Sequence, residues 1–198
     1  MDLKPIHKKE NQKKKLFPIL IGLFIISIMV LSVLEYGSNK DDENEIKYNN
    51  YKFTMENNRW TTYVNNNKIS FAYPPRDLEN TNADVNYNDL LYATKIYLSY
   101  NPEQISPIPV QEFMLNKNIL GIQSQLVLAC PIDNELCKSE SLPIKACNDA
   151  DESTGVILME ISNKSSIDFS NNCLQFHGSQ DDIIKTIDKL VLKRLGIM

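Results

Sequence analysis

Four cysteines, Cys130, Cys137, Cys147 and Cys173, are the residues of this chain best equipped for covalent chemistry. They are separated by six, nine and twenty-five residues. A structural zinc site favours close pairs such as C-x2-4-C, and a redox dithiol favours C-x-x-C; neither spacing occurs. An even count in an oxidising compartment instead implies two disulfides, with three connectivities open. Cys130–Cys137 with Cys147–Cys173 is the favoured set. Pro131, Asp133 and Asn134 supply turn chemistry for the short loop, and the longer loop ties the approach to one expected strand to another strand.

The remaining chemistry is sparse. His177, in Phe176-His177-Gly178-Ser179, is the one histidine beyond the N-terminal head, and no G-x-S-x-G elbow accompanies it. It reads as a polar residue at a strand end. The acidic run from Asp149 to Glu160 approximates a calcium loop, with Asp149, Asp151, Ser153 and Glu160 at ligand positions. Thr154 stands where the sharp turn needs glycine, and the residues after it read as strand rather than helix. Asn163-Lys164-Ser165 is a glycosylation sequon, a weak signal in a chain with 22 asparagines. No pattern asks for a cofactor or a metal, and no catalytic residues or paired carboxylates stand out.

What positions these residues begins at the N-terminus. Lys4, Lys8, Lys9, Lys13, Lys14 and Lys15 precede nineteen uncharged residues, Leu16 to Leu34. As a helix this run is about 28 Å long, close to the roughly 30 Å of a bilayer's hydrocarbon core. A cleaved signal peptide would have a shorter apolar region and an A-x-A-like exit, and Glu35 and Tyr36 spoil that exit. The expected organisation is a basic cytoplasmic head (1–15), a transmembrane helix in contact with membrane lipid (16–34), an acidic juxtamembrane linker (35–48) and an extracytoplasmic domain (49–198). The positive-inside rule sets this orientation. It places the protein in the plasma membrane as a single-pass signal-anchor with its C-terminal domain outside.

Residues 35–198 carry 15 Lys or Arg against 23 Asp or Glu, a formal charge of −8. Such a surface lacks the basic stripe that phosphates require, which argues against nucleic acid. Asn, Ile, Lys and Tyr are frequent, as in an A+T-rich coding sequence.

The fold expected outside the membrane is α+β: one mostly antiparallel sheet with a C-terminal amphipathic helix packed on it. Tyr51–Tyr73 reads as a three-stranded meander with turns at Asn57-Asn58 and Asn65-Asn66-Asn67, and Trp60 belongs to its core. Tyr92–Tyr100 and Gln125–Ala129 read as strands, and Val110–Leu120 as a helix stopped by Gly121. Residues 131–154 read as a stapled loop. Val156–Ile161, apolar on both faces except at Glu160, reads as a central strand. Ile167–Phe169 and Cys173–Phe176 form a hairpin. Ser179 and Asp182 open the last helix, Ile183, Ile184, Ile187, Leu190, Val191 and Leu195 form its stripe, and Gly196 ends it.

Several segments together resemble a family of single-pass membrane proteins from archaea of the reduced-genome, DPANN-type lineages. They are Tyr51-Lys52-Phe53 with Trp60 and Thr62, Tyr73-Pro74-Pro75-Arg76-Asp77-Leu78-Glu79, and Lys95-Ile96-Tyr97-Leu98-Ser99-Tyr100-Asn101-Pro102. Cys147 with Val156-Ile157, Asn172-Cys173-Leu174, Asp188-Lys189-Leu190 and Leu195-Gly196-Ile197-Met198 complete the set. The likeness covers most of residues 16–198 and is loose between 103 and 146. It implies the same topology and the Cys147–Cys173 pair, and no activity comes with it.

Taken together, the sequence points to a cell-surface ectodomain with a binding or structural role, including as a subunit of an envelope complex, that meets a protein or glycan outside the cell. An anchored extracytoplasmic hydrolase is the alternative.

Overall fold

A computed structural model describes residues 21–31 and 44–198. The chain divides into two compact units, 1–43 and 44–198. In the first, residues 21–31 form helix α1, whose apolar side chains are exposed, as at Leu23 (64%) and Phe24 (67%). Among the described residues no helix is long and apolar enough to cross a membrane. The head (1–15), the two ends of the expected span (16–20 and 32–34) and most of the expected linker (35–43) lie outside the described residues.

The second unit is α+β, with two sheets where one was expected. Sheet 1 is an antiparallel meander of β1 (Glu45–Tyr48), β2 (Tyr51–Glu56), β3 (Arg59–Val64) and β4 (Asn67–Phe71), paired in chain order. Its three hairpins turn on Asn49-Asn50, Asn57-Asn58 and Asn65-Asn66, every one with positive φ. Two consecutive left-handed residues make the turn whose twist matches a hairpin, and asparagine tolerates that region better than other side chains. β1 corrects the linker, which was expected to run to residue 48. Glu45-Ile46-Lys47-Tyr48 alternates polar and apolar, so Ile46 and Tyr48 pack against the core while Ile46 pairs with Phe53.

Sheet 2 is mixed, in the order β6-β5-β7-β9-β8. Its strands are β5 (Lys95–Tyr100), β6 (Gln125–Ala129), β7 (Thr154–Ile161), β8 (Ser166–Ser170) and β9 (Cys173–Gly178). β5 pairs in parallel with β6 and β7, and β7 with β9; only β8–β9 is antiparallel. The expected single, mostly antiparallel sheet therefore holds for sheet 1 alone. The reason lies in the connections: β5 reaches β6 through helix α2 (Pro107–Asn116), and β6 reaches β7 through 24 residues that include helix α3 (Glu135–Ser139). Crossovers of that length return a strand in the same direction.

Phe53 and Phe71 of sheet 1, Phe113 of α2, and Leu98, Ile157 and Phe176 of sheet 2 are all fully buried in one core. Phe113 and Phe176 meet edge to face at 6.0 Å. The other face of sheet 2 has a smaller core, where Val156, Leu158 and Cys173 pack against Tyr97, Cys147 and Ala150. The central strand β7 is thus covered on both sides, as its apolar run requires.

The last helix, α4 (Gln180–Arg194), begins with the expected reciprocal cap. Ser179 Oγ accepts from the Asp182 N–H at 3.2 Å, and Asp182 Oδ2 accepts from the Ser179 N–H at 3.1 Å. Gln180 Oε1 also accepts from the Ser106 N–H at 3.0 Å, tying the start of α4 to that of α2. Ser179→Ala should cost about 1 kcal/mol in urea unfolding, the usual worth of such a cap. A change below a few tenths would mean that the packed helix needs no cap. At the far end Gly196 takes φ +70°, and Ile197 is buried with its carbonyl accepting from Asn49 Nδ2 at 2.9 Å.

Candidate functional site

The four cysteines are joined as Cys130–Cys137 and Cys147–Cys173, with Cα separations of 6.2 and 5.3 Å. Each bond pins part of the 131–153 crossover to sheet 2. Cys130 follows β6, and its backbone pairs with Pro143 and Lys145. Cys137 lies on α3, whose N-terminus is capped by Asn134. Asn134 Oδ1 accepts from the Cys137 N–H at 2.8 Å, while Asn134 Nδ2 donates to Asn101 Oδ1 at the end of β5. Cys147 lies over the smaller core and is bonded to the first residue of β9.

The acidic run shapes a turn. Asp151 Oδ1 accepts from the Ser153 N–H, the Ser153 hydroxyl and the Thr154 N–H, each at 2.8 Å. Asp149 Oδ2 accepts from the Ala146 N–H at 2.9 Å, and its other oxygen meets Lys145 Nζ at 3.2 Å. These bonds hold both carboxyls below the ordinary carboxylate range, the Ser153 hydroxyl leading at Asp151 and the Ala146 N–H at Asp149. Among the described residues no group of three His, Cys, Asp or Glu side chains is placed to hold a metal ion. Beside this turn lies an open cleft of about 460 Å³, lined by Asp89, Tyr92, Asp151, Glu152 and the tip of the β8–β9 hairpin. Tyr92 is 82% exposed there.

His177 is placed beside a carboxylate, its Nδ1 lying 3.4 Å from Glu160 Oε2. Both are on the face of sheet 2 that carries Val156 and Leu158, and Ser166 of the edge strand lies opposite His177. A Glu–His–Ser row therefore crosses three strands. The Ser166 hydroxyl is engaged elsewhere, donating to Asp168 Oδ2 at 3.2 Å. Asn163 is exposed in the turn between β7 and β8.

A cluster with two buried carboxylates is almost invisible in the sequence. Glu112 of α2 is 2% exposed and Asp188 of α4 is fully buried. Arg59 of β3 donates from both terminal nitrogens to the two Glu112 oxygens, each at 2.7 Å, and from Nη2 to the Ser70 carbonyl at 3.1 Å. Asn116 Nδ2 adds a bond to Glu112 Oε1 at 2.8 Å. Asp188 Oδ2 accepts the N–H groups of Ala72 and Tyr73, each at 2.9 Å, just beyond β4. The cluster joins sheet 1 to both helices. The only sequence signal for it is an Asp interrupting the apolar stripe of α4 between Ile187 and Leu190–Val191.

No family model, no curated protein and no solved structure matches this chain.

Proposed function

We propose that residues 44–198 form an extracytoplasmic domain with a binding or structural role, held at the plasma membrane by the apolar run 16–34. One observation carries the compartment: all four cysteines of an acidic domain are closed as two disulfides, bonds that persist where thiols are not kept reduced. The six lysines before the apolar run support the orientation, and the exposed apolar side chains of α1 suit a lipid surround. The binding role is supported by the Tyr92 cleft, an exposed aromatic ring among carboxylates and side-chain amides that suits a protein or glycan contact.

An anchored hydrolase is the alternative, and the Glu160–His177–Ser166 row is what favours it. A nucleophilic serine must donate to its histidine; Ser166 donates to Asp168 and lies outside the Tyr92 cleft.

Three measurements on intact cells expressing the full chain decide between these readings. Without reduction, a thiol reagent should label none of the four cysteines, and all four after reduction. External protease should remove epitopes beyond residue 44. A fluorophosphonate probe should leave the protein unlabelled. Free thiols together with full protection would sink the extracytoplasmic placement, and labelling at Ser166 would transfer the conclusion to the hydrolase.

A further inference from the structure

The two sheets end in four edge strands, β1, β4, β6 and β8. Three of them carry charge: Glu45 and Lys47 on β1, Lys68 on β4 and Asp168 on β8. Such charges keep an open edge from pairing with another chain. The fourth, β6, reads Gln125-Leu126-Val127-Leu128-Ala129 and has none. Around it, residues 113–132 hold a single charge, Lys117, in an otherwise acidic domain. Leu126, Val127 and Leu128 are only partly buried, and Ile132 and Ile144 near the end of the strand are 56% and 43% exposed.

The backbone groups that β6 turns outward follow from its neighbours. Polar groups alternate sides along a strand. Lys95 of β5 donates its N–H to the Ser153 carbonyl beside β7, so Ile96 and Leu98 face β6. In the parallel register these two bond Gln125, Val127 and Ala129, which leaves Leu126, Leu128 and Cys130 facing away from β5. Cys130 agrees: its N–H donates to the Pro143 carbonyl and its carbonyl accepts from the Lys145 N–H. This outer pairing is a single bridge, Cys130 with Ile144. It goes no further because Pro143 has no N–H to offer the Leu128 carbonyl. Among the described residues nothing is bonded to the outward N–H and C=O groups of Leu126 and Leu128.

We propose that β6 is a dimerisation edge, pairing antiparallel with the β6 strand of a second copy of this chain across a two-fold axis at Leu126. The open row itself points to that occupant. Pro143 and Ile144 close it beyond Leu128, and the chain bends away at Ser124, so only a short strand fits. A second β6 is uncharged, has that length and bends at the same place. In this register Leu126 exchanges both hydrogen bonds with its own counterpart, and Leu128 faces the partner's Ser124. Sheet 2 then continues through the axis into its copy, on a surface apart from the Tyr92 cleft.

The test is disulfide trapping in membranes of cells expressing the full chain with two different epitope tags. Gln125 and the partner's Val127 lie opposite each other as a non-hydrogen-bonded pair, with Cα atoms about 4.5 Å apart and within disulfide reach. Gln125→Cys on one tagged chain and Val127→Cys on the other should trap mixed dimers under mild oxidation. The rate should be at least about fivefold that of either variant with itself, whose Cα atoms stand about 8 Å apart. Asp168→Cys, on the charged edge β8, measures chance collision, and the mixed pair should exceed it by the same factor. A second measurement needs no cysteine. Wild type in non-ionic detergent should sediment, corrected for bound detergent, with twice the chain mass. Val127→Lys, which gives the edge a charge, should sediment as one chain. A mixed pair trapped no faster than its controls, a disulfide to a different protein, or a wild type of single-chain mass overturns the proposal.

Discussion

Replacing Cys147 and Cys173 together by alanine should lower the unfolding free energy by about 3.5 kcal/mol, against about 2.5 kcal/mol for the Cys130 and Cys137 pair. The difference follows from loop length. The first bond closes a sequence separation of 26 and the second a separation of 7, and a longer loop removes more freedom from the unfolded chain. The folded-state consequences point the same way. Cys173 is fully buried in the smaller core, where the crossover covers Val156 and Leu158. Releasing Cys147 lets that cover lift from the outer face of sheet 2. Cys130 is also held by backbone bonds to Pro143 and Lys145, and α3 by the Asn134 cap, so the shorter loop keeps other restraints. Urea unfolding of both double variants measures this directly. A larger loss for the Cys130 and Cys137 pair would show that the short loop, rather than the cover on the smaller core, carries the stability of this face.

Arg59→Ala should cost about 3 kcal/mol, at the lower end for breaking a buried ion pair because the Arg59 side chain is 31% exposed while that of Glu112 is 2% exposed. The loss arises less from the attraction removed than from the Glu112 carboxylate left in the interior without its two guanidinium bonds. Arg59→Lys keeps a positive charge but not the planar fork that meets both oxygens, and should cost about half as much. A second substitution identifies the mechanism. In the Arg59→Ala background, Glu112→Gln should recover more than half of the loss, because a neutral amide left unpaired is less costly than a carboxylate. A loss below about 1 kcal/mol for Arg59→Ala, or no recovery by Glu112→Gln, would mean that water reaches Glu112 once the guanidinium is gone.

The elements most legible in the sequence were those specified by neighbours along the chain. The meander follows from alternation in Tyr51–Glu56 and Arg59–Val64, and α4 from its cap, stripe and terminal glycine. The frequent asparagines, besides suiting an A+T-rich coding sequence, have a structural use. Asn-Asn pairs make all three turns of sheet 1 and the Asn171-Asn172 turn of the β8–β9 hairpin, in a chain with only six glycines. That use accounts for eight of them and is half legible in the sequence, where two of the four pairs read as turns. β1 was missed because four residues with one large aliphatic side chain look like linker until β2 lies beside them.

By itself the sequence determined the local order: which segments alternate with period two, where the last helix begins and stops, how many cysteines must pair, and which portion of the chain is acidic. Those properties depend on residues a few positions apart, where sterics and backbone hydrogen bonding decide. Tertiary structure alone decided that there are two sheets, that the second is built on parallel pairs, and that Glu112 and Asp188, 76 residues apart, are both buried and both bonded to sheet 1 or the residues just after it. Strand direction is set by how a crossover packs, and the protonation of a carboxyl by how much water and which charges surround it. Neither is encoded in spacing along the chain; both arise only when distant segments exclude solvent together.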